Sequence, residues 1–301
     1  MHSFKQQVLI IVGPTSSGKS ALAVELARKF GGEVISADSR QVYRGLNIGT
    51  GKIAKREMRG VRHHLLDVAS PKKYFSADEF VRKGKVALSN ILQNDKMPII
   101  VGGTGFYIDA LVGRIALPNV PPDKKLREKL EKKTAAQLFA MLKQRDPRRA
   151  KTIEPQHKRR LIRALEIVAS IGKSPPAARQ GLAAYDALWI GIAPPMKELE
   201  KKITIRLFAR IREGMVAEGK RLHKRGLSYK RMEELGLEYK FLARLLQGKL
   251  TRQQMAEELN RAIRKYAIRQ MRYWKRNKDI VWFKERRATR IQKMIQTWLR
   301  K

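Results

Sequence analysis

Eight residues, Gly13, Pro14, Thr15, Ser16, Ser17, Gly18, Lys19 and Ser20, match the phosphate-binding pattern G-x-x-x-x-G-K-[ST] in full. Glycines let a backbone wrap an anion so that amide N–H groups point inward. The lysine of such a loop holds the outer phosphates, and the final hydroxyl, here Ser20, can sit on a magnesium ion. The chemistry requires a strand before the loop and a helix after it. Residues 8–12 form a continuous apolar run suited to a buried strand, and residues 21–30 have helical spacing that Gly31 and Gly32 stop. The helix start adds partial positive charge. The expected ligand carries a diphosphate or a triphosphate, and the loop does not distinguish the two.

Other residues carry chemistry of their own. Asp38 closes the apolar stretch 33–37, where a carboxylate can stand behind a magnesium ion, accept a proton as a general base, or only cap the following turn. Thr104 follows Gly102 and Gly103, a pair that lets backbone approach a ligand closely or simply turns a strand into a helix. His63 and His64 are adjacent and would point in different directions. With no cysteine and no H-x-x-x-H helix, structural hydrogen bonding is expected of them rather than zinc binding. Tyr273 and Trp274 lie among Arg269, Arg272, Lys275 and Arg276, an arrangement that can stack bases while cations hold phosphates, or can be core beneath a basic surface. Core is the expectation for Trp274. Arg159, Arg160 and Arg163 share a helix with Leu161, Ile162, Leu165 and Ile167, so that one face packs and the other meets phosphate or solvent.

The elements that must position these residues follow from the apolar pattern. Short runs at 33–37, 98–101, 188–192 and 279–283 alternate with helical or irregular stretches. That order predicts an α/β fold, a P-loop NTPase-like parallel sheet flanked by helices. Ligands in such sheets lie at the carboxyl ends of strands, which brings Asp38 and Gly102-Gly103-Thr104 beside the phosphate loop. Residues 117–185 are too many for a simple crossover. Pro118, Pro121 and Pro122 open this stretch, Pro175-Pro176 lies near its end, and helical composition at 124–133 and 145–166 predicts an α-helical insert. Residues 1–116 and 186–301 then form the catalytic core, with 196–275 read as basic C-terminal helices.

The chain has 301 residues, 43% of them hydrophobic, and a formal net charge of +39. Such a charge points to a polyanionic partner, nucleic acid before an acidic membrane surface. It is unevenly spread: residues 1–116 carry 18 Lys and Arg against 9 Asp and Glu, leaving 48 against 18 for the rest. The polyanion is therefore expected mainly on the later part. The absence of cysteine excludes disulfides and thiolate zinc sites. No apolar run approaches a membrane span and no signal-peptide core precedes the first strand, so a cytoplasmic protein is expected. One chain holds every candidate residue, which predicts a monomer.

Taken together, the loop at 13–20, Ile-Ser-Ala-Asp-Ser-Arg-Gln-Val-Tyr-Arg-Gly-Leu-Asn-Ile-Gly-Thr-Gly-Lys at 35–52, His-His-Leu-Leu-Asp at 63–67 and Val-Gly-Gly-Thr-Gly-Phe-Tyr at 101–107 closely resemble the bacterial tRNA dimethylallyltransferase family. The likeness continues through Arg160-Leu-Ile-Arg-Ala-Leu-Glu166, Leu235-Gly-Leu-Glu-Tyr239 and Arg269-Gln270 and covers nearly the whole chain. It implies transfer of a dimethylallyl group from dimethylallyl diphosphate to N6 of the adenosine at tRNA position 37. By the same resemblance Asp38 looks like the general base, while Lys19, magnesium held through Ser20, Thr104 and Arg206 would stabilise the departing diphosphate. Arg206 is placed by its spacing from Gly214 and Lys220-Arg221-Leu222, with Arg210 as the alternative. The implied contacts to the tRNA anticodon stem-loop are Asp38, Ser39, Arg40, Gln41, Thr104, Arg127, Arg159, Arg160, Arg163, Arg269 and Gln270, around an adenine flipped from its stack. Two departures stand out. Ile268 occupies a position where the family usually has Lys, and Pro155-Gln156-His157 stands where an acidic residue or Asn is common. Competing readings are a small-molecule kinase using ATP, a prenyltransferase acting on free AMP or ATP, and an RNA-binding protein with a vestigial nucleotide site.

Overall fold

The computed structural model describes residues 6–172, 185–285 and 288–300. Among them, six strands form one parallel sheet: β1 (Gln6–Val12), β2 (Gly32–Ala37), β3 (His63–His64), β4 (Met97–Gly102), β5 (Tyr185–Ile192) and β6 (Val281–Phe283), in the order β3-β2-β4-β1-β5-β6. The central strand β1 places Ile10 between Ile100 of β4 and Trp189 of β5. Both of its faces are buried. Val8, Ile10 and Val12 belong to one apolar cluster and Leu9 and Ile11 to the other, which is why this strand reads as an unbroken apolar run.

On one face the Lys19–Phe30 helix contributes Leu22 and Leu26, and the Ala288–Leu299 helix contributes Ile291 and Ile295. The opposite face is covered by Phe80, Leu88 and Ile91 of the Ala77–Gln93 helix, Leu199, Ile203 and Leu207 of Met196–Arg212, and Leu259, Ile263, Ala267 and Trp274 of Arg252–Trp274. The last of these helices opens on a capping box in which Thr251 and Gln254 satisfy each other's backbone N–H. Because every strand runs the same way, the segments after β1, β2 and β4 leave the sheet at one edge. These are the phosphate loop, Asp38 and Gly103-Thr104.

Two details differ from the expectations. Strand β3 is too short to show any periodicity and was not anticipated, and β6 is confined to Val281–Phe283, shorter than the expected 279–283.

The chain divides into two compact units, Met1–Gly113 with Leu182–Lys301, and Arg114–Gly181, close to the expected insert at 117–185. The expected boundary at Pro175-Pro176 lies outside the described residues. The smaller unit is helical, built from Lys124–Glu131, Ala135–Arg145, Pro147–Ala150 and Lys158–Ile171 around Leu130, Leu138, Leu142, Leu161, Ile162 and Leu165. The stretch 145–166, read as helical from its composition, is not one continuous helix. Asp146 accepts the N–H of Arg149 and starts a short turn of helix at Pro147, and the chain then turns through Pro155 before Lys158. Proline cannot supply the N–H that a continuous helix would need at that point.

Candidate active site

The loop after β1 has the form of an anion site. At Gly13, with φ of 149°, a Cβ would come within 2.3 Å of the Ile192 carbonyl oxygen, so only glycine lets the chain pass over the end of β5. Gly18, also left-handed, stands at the start of the Lys19–Phe30 helix, which has neither a side-chain cap nor an acidic residue in its first turn. The N–H groups there are left for a ligand, at the positive end of the helix dipole. Ser17 Oγ is buried with no hydrogen-bond partner among the described residues. Lys19 Nζ donates to the Pro14 carbonyl at 3.0 Å. Burial pushes its ammonium down to about 8; the Asp38 carboxylate opposes that shift and the Arg206 guanidinium adds to it.

Asp38 follows β2 directly. Its Oδ1 accepts from the Arg40 N–H at 2.7 Å and from the Gln41 N–H at 3.2 Å, so the capping role is real. Oδ2 carries no hydrogen bond among the described residues, and the same carboxylate can therefore cap and also accept a proton. Thr104 ties the two strand ends together. Its N–H donates to the Ala37 carbonyl at 3.2 Å, and its Oγ1 accepts from the Ser39 N–H at 3.1 Å. A hydroxyl that accepts here still has its own proton to donate.

Arg206 comes from the Met196–Arg212 helix and donates through Nη2 to the Gly51 carbonyl at 2.8 Å. Burial and then Arg210 lower its pKa, while Glu238, Glu57 and Asp38 favour its charge. Lys19, Asp38 and Arg206 thus sense one another across three separate elements. Arg210, the alternative, is committed elsewhere: it is buried and donates to the Gly49 carbonyl and, at 3.0 Å, to Glu238 Oε1. The buried carboxylate of Glu218 holds the same loop from the other side. It accepts the N–H groups of Asn47, Ile48 and Gly49 at 3.0, 2.8 and 2.9 Å and the Tyr239 hydroxyl at 2.7 Å. Neither Glu218 nor its partner Tyr239 was given a role from the sequence.

Of the residues expected to contact tRNA, Arg159, Arg160 and Arg269 are exposed, and Ser39, Arg40 and Gln41 are half-buried beside Asp38. Gln270, expected to contact tRNA, has partners inside the protein. It is buried, its Nε2 donates to the Gly103 carbonyl at 3.1 Å, and its Oε1 accepts the Thr15 N–H at 2.8 Å. Both ends of its amide are used inside the protein. Arg127 and Arg163 also have partners the sequence did not suggest. Arg127 grips the buried Glu166 with two bonds of 2.8 and 2.9 Å, and Arg163 donates to Glu166 and, at 2.8 Å, to the Val120 carbonyl. Trp274 is fully buried in the core, as expected, and the Tyr273 hydroxyl donates to Asp109. His64 and Lys96 hold the buried Glu33 carboxylate at 2.6 and 2.7 Å, and His63 bonds the Val61 carbonyl, the structural role anticipated. Tyr266 was missed. Burial and the nearby Asp38 carboxylate push its phenol well above its ordinary value, and it lies one helical turn before Gln270.

Comparison with known proteins is consistent over most of the chain. The IPP transferase family model matches residues 41–277, a range that begins just beyond Asp38. The chain is 40% identical over 269 residues to tRNA dimethylallyltransferase 1 of Geotalea uraniireducens, covering 89% of this chain and 88% of that one. It is 37% identical over 285 residues to tRNA dimethylallyltransferase of Shouchella clausii, covering 93% and 91%. The crystal structure of the tRNA isopentenylpyrophosphate transferase of Bacillus halodurans superposes with a TM-score of 0.74 at 32% identity, over 97% of this chain and 96% of the other. The family model spans more than half of the chain, and these relatives are matched over most of their own length at 37–40% identity, so the chain that carries this open loop and strand-end carboxylate belongs to the IPP transferase family.

Proposed function

We propose that this chain moves the dimethylallyl group of dimethylallyl diphosphate onto N6 of the adenosine at tRNA position 37, releasing diphosphate. The observation that carries this reading is the convergence of Lys19 and Arg206, two cations suited to a leaving diphosphate, with Asp38, a carboxylate suited to an acceptor's proton. In the transfer, the bond between the allylic carbon and the diphosphate oxygen breaks and its electron pair leaves on that oxygen. The N6 lone pair forms the new N–C bond, and one N6 proton passes to Asp38 Oδ2. A purine amine is a weak nucleophile, so removing its proton during attack is worth about 100- to 10,000-fold. Lys19, Arg206, the Thr104 hydroxyl and the open helix start meet the charge growing on the diphosphate, and they are already in place before the reaction.

Among the described residues no cluster of three His, Cys, Asp or Glu side chains could cage a metal. The exposed Ser20 hydroxyl fits a hard, well-hydrated cation that takes its other ligands from the diphosphate and water, as magnesium does. Bound there, magnesium would neutralise leaving-group charge. The acceptor is read as the tRNA anticodon stem-loop, with its adenine flipped toward Asp38 and its phosphates met by exposed cations such as Arg159, Arg160 and Arg269. No helix among the described residues is long and apolar enough to cross a membrane. The enzyme is read as a cytoplasmic monomer.

The test is incorporation of labelled dimethylallyl diphosphate into unmodified tRNA with adenosine at position 37, with AMP and a tRNA substituted at that position as controls. Label in the adenosine-bearing tRNA alone is expected. Label in AMP would move the assignment to free-nucleotide prenyl transfer, and absence of label together with phosphoryl transfer from ATP would make the chain a kinase.

A further inference from the structure

The Gln270 side chain touches both loops of the site, and it does so from the Arg252–Trp274 helix, distant in sequence from either. The residue is 6% exposed. The peptide unit between Pro14 and Thr15 is held at both of its polar ends: the Pro14 carbonyl accepts from Lys19, and the Thr15 N–H donates to Gln270. On its other side the amide meets the Gly103 carbonyl so closely that a Cβ at Gly103 would lie 2.1 Å from Nε2. Gly103 leads into Thr104, which is tied to Ala37 and Ser39 on either side of Asp38. The chain of contacts therefore runs from the phosphate loop through one amide to the turn that carries the proton acceptor.

We propose that Gln270 is a positioning residue that locks the phosphate loop and the Gly103-Thr104 turn in register, and so sets the separation between bound diphosphate and Asp38. This rests on the prenyl-transfer reading of the same site. An amide suits the task because it donates at one end and accepts at the other; a carboxylate could serve the Thr15 N–H but would face the Gly103 carbonyl with a second acceptor. The neighbouring Arg269 is exposed, its guanidinium over the Tyr266 ring, which separates the two residues of a pair that looks like a single tRNA-binding unit in the sequence.

The experiment compares Gln270→Met and Gln270→Glu with the parent chain. It measures inorganic diphosphate binding without tRNA, anticodon stem-loop binding without diphosphate, and the kcat and KM of transfer. Methionine fills the space and removes both hydrogen bonds. Losing them is expected to weaken diphosphate binding roughly tenfold and to lower kcat, with stem-loop affinity within about twofold of the parent. Protonated glutamate has the shape and donor of the amide, so the deficit of Gln270→Glu in diphosphate binding, relative to the parent at the same pH, is expected to shrink as pH falls. Loss of stem-loop affinity with diphosphate binding intact would overturn the proposal and restore a tRNA-contact role. So would unchanged behaviour of Gln270→Met. A general loss of both affinities with no recovery of Gln270→Glu at low pH would reduce the residue to packing and equally overturn it. If the parent chain binds diphosphate but transfers no dimethylallyl group to tRNA, the functional reading fails instead, whatever the variants do.

Discussion

Asp38 does two things with two oxygens, and substitutions can separate them. Asparagine keeps an oxygen for the Arg40 and Gln41 N–H groups but cannot take a proton, so Asp38→Asn should lower single-turnover transfer by about 100- to 10,000-fold and leave stem-loop affinity nearly unchanged. Transfer that survives at the parent rate would remove Asp38 from the proton step. Lys19 makes a second prediction through its charge. Its folded value of about 8 lies below the ordinary 10.5, so between these values the unfolded chain holds more protons and stability rises with pH across that window. Diphosphate binding should move the opposite way, weakening as the lysine neutralises above about pH 8. In Lys19→Arg the charge persists and that decline should flatten, as titration calorimetry across pH would show. Lys19, Asp38 and Thr104 were legible because each follows an apolar strand run, where sheet geometry delivers residues to a common edge. Gln270 and Tyr266 were not. Thr15 and Gly103, which Gln270 bonds, and Asp38, which Tyr266 senses, lie far away in sequence, and an Arg-Gln pair in a basic helix looks the same whether it faces water or another loop.

Elements built from long apolar or amphipathic patterns were readable, and those set by local chemistry were less so. The buried run of β1 and the spacing of the Lys19–Phe30 helix survive direct inspection, whereas two-residue β3 is created by pairing with β2 and carries no pattern of its own. In the helical unit, Arg127 and Arg163, both expected to contact tRNA, hold Glu166 and so join two helices. Burial raises the Glu166 pKa, but hydrogen bonds from Arg127 and Arg163 and the Asp123 N–H outweigh it and leave the carboxyl below its usual range. Its contribution to stability is therefore present above the ordinary glutamate pKa and is lost as pH falls through the lower folded value. Glu166→Gln should cost roughly 2 kcal/mol at neutral pH, since it removes charge-assisted bonds from partly exposed arginines. The penalty should narrow in acid. Urea denaturation of the two proteins at neutral and acidic pH would measure it, and an equal gap at both would mean the carboxylate charge contributes nothing.

At the scale of the whole molecule, a net charge of +39 makes ionic strength the sharpest probe of tRNA binding. If about six phosphates are neutralised, affinity should fall on the order of 10³-fold between about 50 and 200 mM salt, and replacing the exposed Arg269 by Ala should reduce the slope by about one. Anisotropy of a labelled stem-loop reads both. A flat dependence would show that the basic surface is solvated and not engaged. The sheet order has a different consequence, for how the chain is made. β1, which carries the phosphate loop, finds its first neighbour when β4 is synthesised, but its other edge stays open until the helical unit has been completed and Trp189 can pair with Ile10. Pairing across so long a closure is slow, and an open apolar strand edge is prone to aggregate. A nascent chain stalled within the helical unit should therefore hold its small helical core together by local contacts while its central strand remains half-paired, which makes this interval the one in which a ribosome-bound chaperone matters most.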